Sequence, residues 1–501
     1  MDLKDRHILI LGFGVTGLAI AALAKRHGAN VLVWDSRATA PGDGPSFAAT
    51  ADVTRLAPDT AASDARLALI DLVAVSPGLA LDHGPAKPFI AMARAREIPI
   101  WGEFEFFAQE LAKLAKGGYR PKVLAITGTN GKTTVTSLCG HLCRRCGKSV
   151  AVAGNIGPPV LDALRQAQDA GALPDIWVLE MSSFQLETTH SLALDAAAFL
   201  NLSQDHLDWH GSMAAYRRAK LRIFSDARVR IINRDDKSVA TGEAELARAP
   251  GTRVVSFGLG APGKPGDFGV IAQGDMRWLA VTDANEEPAA SRRPKIAAEA
   301  ALQVTRLMPA EALRIRGDHN ILNALAALAL VRAIGLPLAP ALRALAEYRG
   351  EPHRVEVIGR LGGVDFIDDS KGTNVGATVA ALEGLGQRVV LIAGGLGKGQ
   401  DFSPLARPIA RHARAVVLIG QDRQRLREGI AVAALDAGVS IEEEASLERA
   451  VERAFALSRP GDAVLLSPAC ASLDMFRDYG HRAQVFKAAV RELMMEAGQP
   501  C

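Results

Sequence analysis

The sequence predicts an α/β protein of three domains: a Rossmann-like N-terminal domain, a central α/β domain of the P-loop ATPase type, and a C-terminal Rossmann-like α/β domain. Three observations carry this. Short apolar runs alternate with helix-patterned segments along most of the 501 residues, as in parallel sheets crossed by helices. Polar or glycine-rich residues recur where those apolar runs stop, which is where open α/β sheets bind ligands. The chain is too long for one core, and the alternation restarts, dividing it into 1–110, 111–350 and 351–501.

In the first region, His7–Leu11 reads as a strand, Gly12-Phe-Gly-Val-Thr-Gly17 as a turn, and the following segment to about His27 as a helix. Asn30–Trp34 is a second strand that runs into Asp35, and Leu72–Val75 a third that runs into Ser76-Pro77-Gly78. A G-x-G-x-x-G turn with an acid about 20 residues on fits NAD. The same turn can hold any diphosphate, including that of a UDP-sugar.

The central region opens on Ala125-Ile-Thr-Gly-Thr-Asn-Gly-Lys-Thr-Thr134. An apolar strand at 123–126 precedes it and a helical pattern over 133–146 follows. Strand, glycine turn and helix start together grip phosphate, because the first N–H groups of the helix point at the anion. Gly128, Thr129, Asn130 and Gly131 form the turn. Lys132 offers a charge to the β/γ-phosphates, and Thr133 or Thr134 a hydroxyl to Mg²⁺. Ile126 stands where the standard pattern has its first glycine, so the loop is a shortened variant.

Further strand ends carry chemistry. Glu180 ends an apolar run on the same sheet edge and can hold Mg²⁺ near the γ-phosphate. Gly154-Asn-Ile-Gly157 ends another. Asp205-His-Leu-Asp-Trp-His210 suits a zinc hydrolase site, an auxiliary Mg²⁺ site or a hydrogen-bonded polar loop. The helix over 212–224 carries Arg217, Arg218, Lys220 and Arg222. It is either a solvated basic face or a means of aiming Lys220 at the metal, where a lysine carbamate would be an anionic ligand and an ammonium would be repelled. His319, Asn320 and Asn323 contact a nucleotide or cap the helix read over 320–334. Arg354 stands at a domain boundary, placed to reach phosphates as domains close. Residues 235–313 read as short hairpins and exposed loops. Cys139, Cys143 and Cys146 share one helical face, which favours a buried stripe over an iron–sulfur cluster.

The third region repeats the pattern. Its strand ends are Asp368-Asp-Ser-Lys-Gly-Thr-Asn374, Gly394-Gly-Leu-Gly-Lys398 and Ser467-Pro-Ala-Cys-Ala-Ser472. A composition of 49% hydrophobic and 23% charged residues is globular, and a net charge of +3 gives no reason to invoke nucleic acid. No apolar run is long enough to span a membrane, the first residues are polar, and five cysteines do not make a disulfide framework. A cytoplasmic protein without membrane insertion is expected.

Assembled in order, G-T-N-G-K-T-T, Gly154-Asn-Ile-Gly157, Glu180-Met-Ser-Ser-Phe-Gln-Leu186, Asp205-His206, Tyr216-Arg-Arg-Ala-Lys-Leu221, Gly317-Asp-His-Asn320 and His353-Arg354 resemble the Mur ligases. These are ATP-dependent amide-forming enzymes of peptidoglycan synthesis. The third-region motifs, with Gly-Gln-Asp401 and Leu-Asp-Met-Phe476 continuing two of them, look like the D-glutamate-adding branch. The resemblance implies a monomer with the small-molecule substrates UDP-N-acetylmuramoyl-L-alanine, D-glutamate and ATP, and with two Mg²⁺ ions, one held through a carbamate on Lys220. It turns the first domain from NAD to UDP, with contacts at Val15, Thr16, Asp35, Ser36, Arg37, Ser76, Pro77, Gly78, Asn155 and His206. It adds Asn320, Arg354, Asp368 and Lys371 to the ATP site and makes Thr133, Glu180, His206 and Lys220 the metal set. For D-glutamate, Thr373, Lys398 and Ser472 are the donors, Leu473 and Phe476 wall the pocket, and Tyr479 closes it. The catalytic group is then Lys132, Glu180, His206, Lys220 and Arg354.

Overall fold

The computed structural model describes residues 2–43, 53–284 and 302–498. Among these, the strands form three sheets of five, nine and six strands.

The first sheet is parallel, in the order Thr54–Arg55, Asn30–Trp34, His7–Leu11, Leu72–Val75, Ile100–Trp101. His7–Leu11 and Leu72–Val75 are neighbours although distant in sequence. The order therefore reverses beside the turn after Leu11, and a crevice opens there. Gly17 is required at that turn: a Cβ would lie 2.1 Å from the Gly12 carbonyl oxygen.

In the central sheet, Lys122–Thr127 lies between Ile176–Glu180 and Leu194–Phe199, with Val150–Gly154 outside the first and Ala227–Asn233 outside the second. These five are parallel. The loops at 128–131, 155–157, 181–182 and 200–206 thus emerge on one edge.

The described part of 235–313 contains the expected hairpin pairing, Phe268–Gln273 against Met276–Ala284, but its strands join the central sheet instead of lying on exposed loops. Arg253–Phe257, Phe268–Gln273, Met276–Ala284 and Leu302–Pro309 extend the central sheet, the last two antiparallel to their neighbours. Phe257, Phe268, Val270, Leu279, Val281 and Met308 are buried in one core with the helix Asp318–Ala333. Burying that many apolar side chains outweighs the loop-like composition. Asn285-Glu-Glu-Pro288 lies outside the described residues. Cys139 and Cys143 are buried in the same core, as the stripe reading expected.

The third sheet runs Glu356–Leu361, Val364–Asp368, Ala463–Leu466, Val389–Gly394, Ala413–Ile419, Ser440–Glu443, parallel except for its first hairpin. Its strand ends face the central sheet's loops, as the side-chain contacts below establish. Among the described residues no helix is long and apolar enough to cross a membrane.

Candidate active site

The phosphate loop follows the strand Lys122–Thr127 and leads into the helix Lys132–Arg145. Gly131 has φ +82°, and a Cβ there would lie 2.5 Å from Asn323 Oδ1. Both the backbone and the neighbouring helix therefore require glycine. Lys132 Nζ folds back to donate to the carbonyls of Gly128 (2.8 Å) and Thr129 (2.9 Å). Thr133 and Thr134 are buried at the helix start. Asn201 brackets the loop, accepting from Asn130 N (2.8 Å) and donating to its carbonyl (3.0 Å).

Glu180 is 1% exposed. Its Oε1 accepts from Asn155 Nδ2 at 2.7 Å, while its Oε2 is buried with no hydrogen-bond partner. A buried carboxylate oxygen with nothing to bind is costly unless a cation completes it. Asn155 thus spends its side-chain donor on orienting Glu180.

Lys220 is 1% exposed, the least expected place for a member of a basic helix face. Its Nζ donates to the Gly128 carbonyl (2.8 Å) and sits 4.6 Å from the centre of the Tyr216 ring. Burial, reinforced by the Lys132 charge, pushes its pKa well down. Burial also lowers Lys132. The two lysines therefore share one carbonyl in a desolvated site. His206 adopts a left-handed backbone (φ +54°), its Nε2 3.5 Å from Asp205 Oδ2. Burial outweighs that carboxylate and lowers its pKa, which favours the neutral, ligating imidazole.

A pocket lies between the central and third domains, lined by Asn130, Gly131, Thr134, His319, Asn320, Asn323, Arg354 and Asp369 with apolar walls from Phe257, Ile315 and Ala380. Polar groups at one end and apolar walls at the other suit a nucleotide. Asn320 donates to the Arg316 carbonyl (2.7 Å) and accepts from Asn323 (3.1 Å). Arg354 is presented by a backbone in which His353 (φ +63°) and Val355 (φ +50°) are both left-handed. Its Nε is buried without a partner.

The structure puts Asp369, not Asp368, in this pocket. Asp368 ends its strand pointing the other way, bonded to His353 Nδ1 (2.7 Å) and Ser370. Asp369 is buried beside Ser467 and Arg354, and burial raises its pKa to about 7. Lys371 lies over the Tyr479 ring at 5.3 Å, its pKa brought down to about 8 by burial and then by Arg354.

Of the residues read for D-glutamate, Thr373 is half-buried beside Lys371, and Ser472 is buried. Lys398 is exposed in a left-handed turn, and three residues on, Asp401 N donates to Gln204 Oε1 of the central domain (3.4 Å). Tyr479 packs on His353 and Lys371. Phe476 packs partly into the third core beside His481, and Leu473 is 63% exposed.

In the first domain, Asp35 is buried and already committed. It accepts from Phe13 N (2.7 Å), Arg37 N (3.0 Å) and the Arg37 guanidinium (2.8 Å), which hold its carboxyl far below the usual range. Ser36 and Arg37 are exposed beyond it. Ser76 Oγ donates to the Gly12 carbonyl (2.9 Å), joining the two strand ends of the crevice. Val15 is 63% exposed at the start of the helix Val15–Arg26, Thr16 is half-buried next to it, and Pro77 and Gly78 continue from Ser76.

Three family descriptions match the chain: a Mur ligase MurD-like N-terminal domain over residues 6–102, a Mur ligase middle domain over 126–331, and a Mur ligase glutamate ligase domain over 353–470. Curated relatives named UDP-N-acetylmuramoylalanine–D-glutamate ligase, from Burkholderia pseudomallei (strain 668) and Burkholderia mallei (strain SAVP1), are each 56% identical over 99% of both chains. Among solved structures, the Thermotoga maritima MurF ligase in complex with ADP aligns with TM-score 0.56 at 15% identity, covering 98% of this chain and 99% of its own. The Thermotoga maritima UDP-N-acetylmuramate–alanine ligase MurC aligns with TM-score 0.55 at 20% identity, covering 97% and 99%. These two likenesses concern the fold.

Proposed function

This chain belongs to the Mur ligase family, and we propose that it joins D-glutamate to UDP-N-acetylmuramoyl-L-alanine at the expense of ATP. The observation that carries the reading is the meeting of two sets of strand ends, those of the central and third domains. The phosphate loop, the half-satisfied Glu180 and the buried Lys220 of the central domain face Arg354, Asp369, Lys371 and Lys398 of the third. The 56% identity to D-glutamate ligases supports the choice of amino acid.

The chemistry follows from that charge arrangement. A carboxylate oxygen of the acceptor's alanine attacks the γ-phosphorus, ADP leaves, and an acyl phosphate forms. The D-glutamate amine then attacks the acyl carbon, loses a proton, and expels phosphate. Lys132, Arg354 and Lys371 offset charge on the transferring group. The orphaned Glu180 oxygen, Thr133, His206 and a carbamate on Lys220 are the donors that would hold two Mg²⁺ ions, which lower the barrier by neutralising phosphoryl charge. The fit is chemical: these are oxygen donors and one imidazole, and burial disfavours the charged form of Lys220, the neutral amine being the form that adds to CO₂. The crevice at Gly12–Gly17 and Ser76–Gly78 would take the UDP end. Every residue assigned a role in this reading lies on one chain, so the reading needs only a monomer.

Phosphate release across a panel of amino acids, with the UDP-muramoyl-alanine acceptor present, tests it. Release that depends on D-glutamate and on the acceptor supports the reading. Release with another amino acid, or without any, contradicts it.

A further inference from the structure

Asn130 and Asn374 are 244 positions apart, yet they form a reciprocal amide pair. Asn130 Nδ2 donates to Asn374 Oδ1 (3.1 Å), and Asn374 Nδ2 donates to Asn130 Oδ1 (3.0 Å). Asn130 lies in the phosphate loop. Asn374 is the N-cap of the third domain's helix Val375–Gly384, accepting from Ala377 N at 3.0 Å. The same Asn374 amide reaches Asp205 Oδ2 at 3.3 Å, the carboxylate paired with His206. One third-domain side chain therefore touches both the phosphate loop and the Asp205-His206 turn. The approach is tight: a Cβ on Gly376 would lie 3.0 Å from Ser203 Oγ and 3.1 Å from Asn130 Nδ2.

We propose that Asn130 and Asn374 form a latch that couples seating of the third domain to the shape of the phosphate loop, both acting as positioning residues for the ligation. The inference rests on the ligase reading above. Two neutral amides suit the task. Each bond is worth little net, because water replaces it when the domains part, so the contact reports alignment without locking the domain shut. Gly376 serves the latch by leaving room for it.

The test uses the full chain and four variants. Asn374→Ser keeps a good helix cap but is too short to cross the gap. Asn130→Ala removes the other half, the double variant removes both, and Gly376→Val places methyl groups in the contact while leaving both amides intact. We expect each single amide variant to lower kcat about tenfold, the scale of two modest hydrogen bonds, and Asn374→Ser, which lies outside the nucleotide pocket, to do so with ATP affinity little changed. The double variant should be no worse than either single one, because there is one latch to lose. Gly376→Val should show the same loss, and small-angle scattering with ATP and acceptor should find it more extended than wild type. Losses that multiply in the double variant, wild-type kcat in Asn374→Ser, or a Gly376→Val protein as compact as wild type would overturn the latch. If wild type lacked D-glutamate-dependent turnover, the ligase reading would fall, and the scattering comparison would still decide the latch.

Discussion

The two junctions of the central domain are built from opposite materials. Toward the first domain, the helix Glu103–Lys116 begins with two buried carboxylates. Glu103 accepts from Leu161 N (3.1 Å) at the start of a central-domain helix. Glu105 accepts from His190 N (2.7 Å), Ser191 N (2.9 Å) and Ser191 Oγ (2.5 Å). Gly102 is pressed so close that a Cβ would meet Thr188 Oγ1 at 2.1 Å. Toward the third domain, the chain passes through the left-handed His353 and Val355, and the faces meet through the neutral amide pair and the Asn374 bond to Asp205. Buried carboxyl groups held by backbone donors are costly to part, because each would be left unsatisfied; amide pairs exchange with water at little cost. The difference fits the proposed latch: the first domain is held by buried carboxyl groups, and the third by contacts that water can replace at little cost.

The largest effect should leave both junctions intact. Lys220→Ala removes the amine proposed to carry the carbamate and should lower turnover by about 10³-fold, the upper end for one positioned electrostatic group. Short carboxylic acids in the assay should restore part of it. A fully active variant would return Lys220 to a structural role. Lys132→Ala should cost about a hundredfold in kcat, and near-normal turnover would break the phosphate-loop assignment.

The third-domain side is probed by Lys398→Ala. Losing a charge-assisted hydrogen bond should raise the KM for D-glutamate by about 10- to 150-fold, with that for ATP nearly unchanged. Equal rises would move the amino-acid site off the third domain.

The first-domain side is probed by pH. Burial raises the Glu103 pKa from its ordinary 4.5 to about 7. Between those values the folded state holds a proton that the unfolded state has lost. Stability from this group is therefore greatest below pH 4.5 and lost as pH rises toward 7, by about 3 kcal/mol in all. Glu103→Gln should flatten that part of the melting-temperature profile; an unchanged slope would show that Glu103 does not titrate there. The smallest effect is ligand protection: UDP should raise the melting temperature by a few degrees (about 1–2 kcal/mol at concentrations above Kd), and NAD should not. Stronger protection by NAD would reverse the assignment of the crevice.

What the sequence made legible was local. The phosphate loop, Glu180 and the strand-end motifs are contiguous, and strand–turn–helix context is visible in hydrophobic periodicity. What it hid depends on side-chain direction or on distant chain. Asp368 and Asp369 are adjacent acids at a strand end, and neighbouring residues there point oppositely; the sequence reading chose Asp368, and the structure puts Asp369 in the pocket. Glu103 and Glu105 look like ordinary acids at a helix start, because their burial is created by a partner domain. The Asn130–Asn374 contact joins two polar loop residues with no periodicity to announce them. In the described part of 235–313 the loop-like composition hid that the strands join the central sheet and bury their apolar faces in a core shared with the helix Asp318–Ala333.

The central claim is that ATP activates the acceptor's carboxylate as an acyl phosphate. It is tested by labelling that carboxylate with ¹⁸O and following one round of ligation with D-glutamate and ATP. The account predicts that each released phosphate carries one ¹⁸O, because the oxygen that attacks phosphorus departs with it when the amine takes its place. Phosphate free of the label, formed together with ligated product, would contradict it.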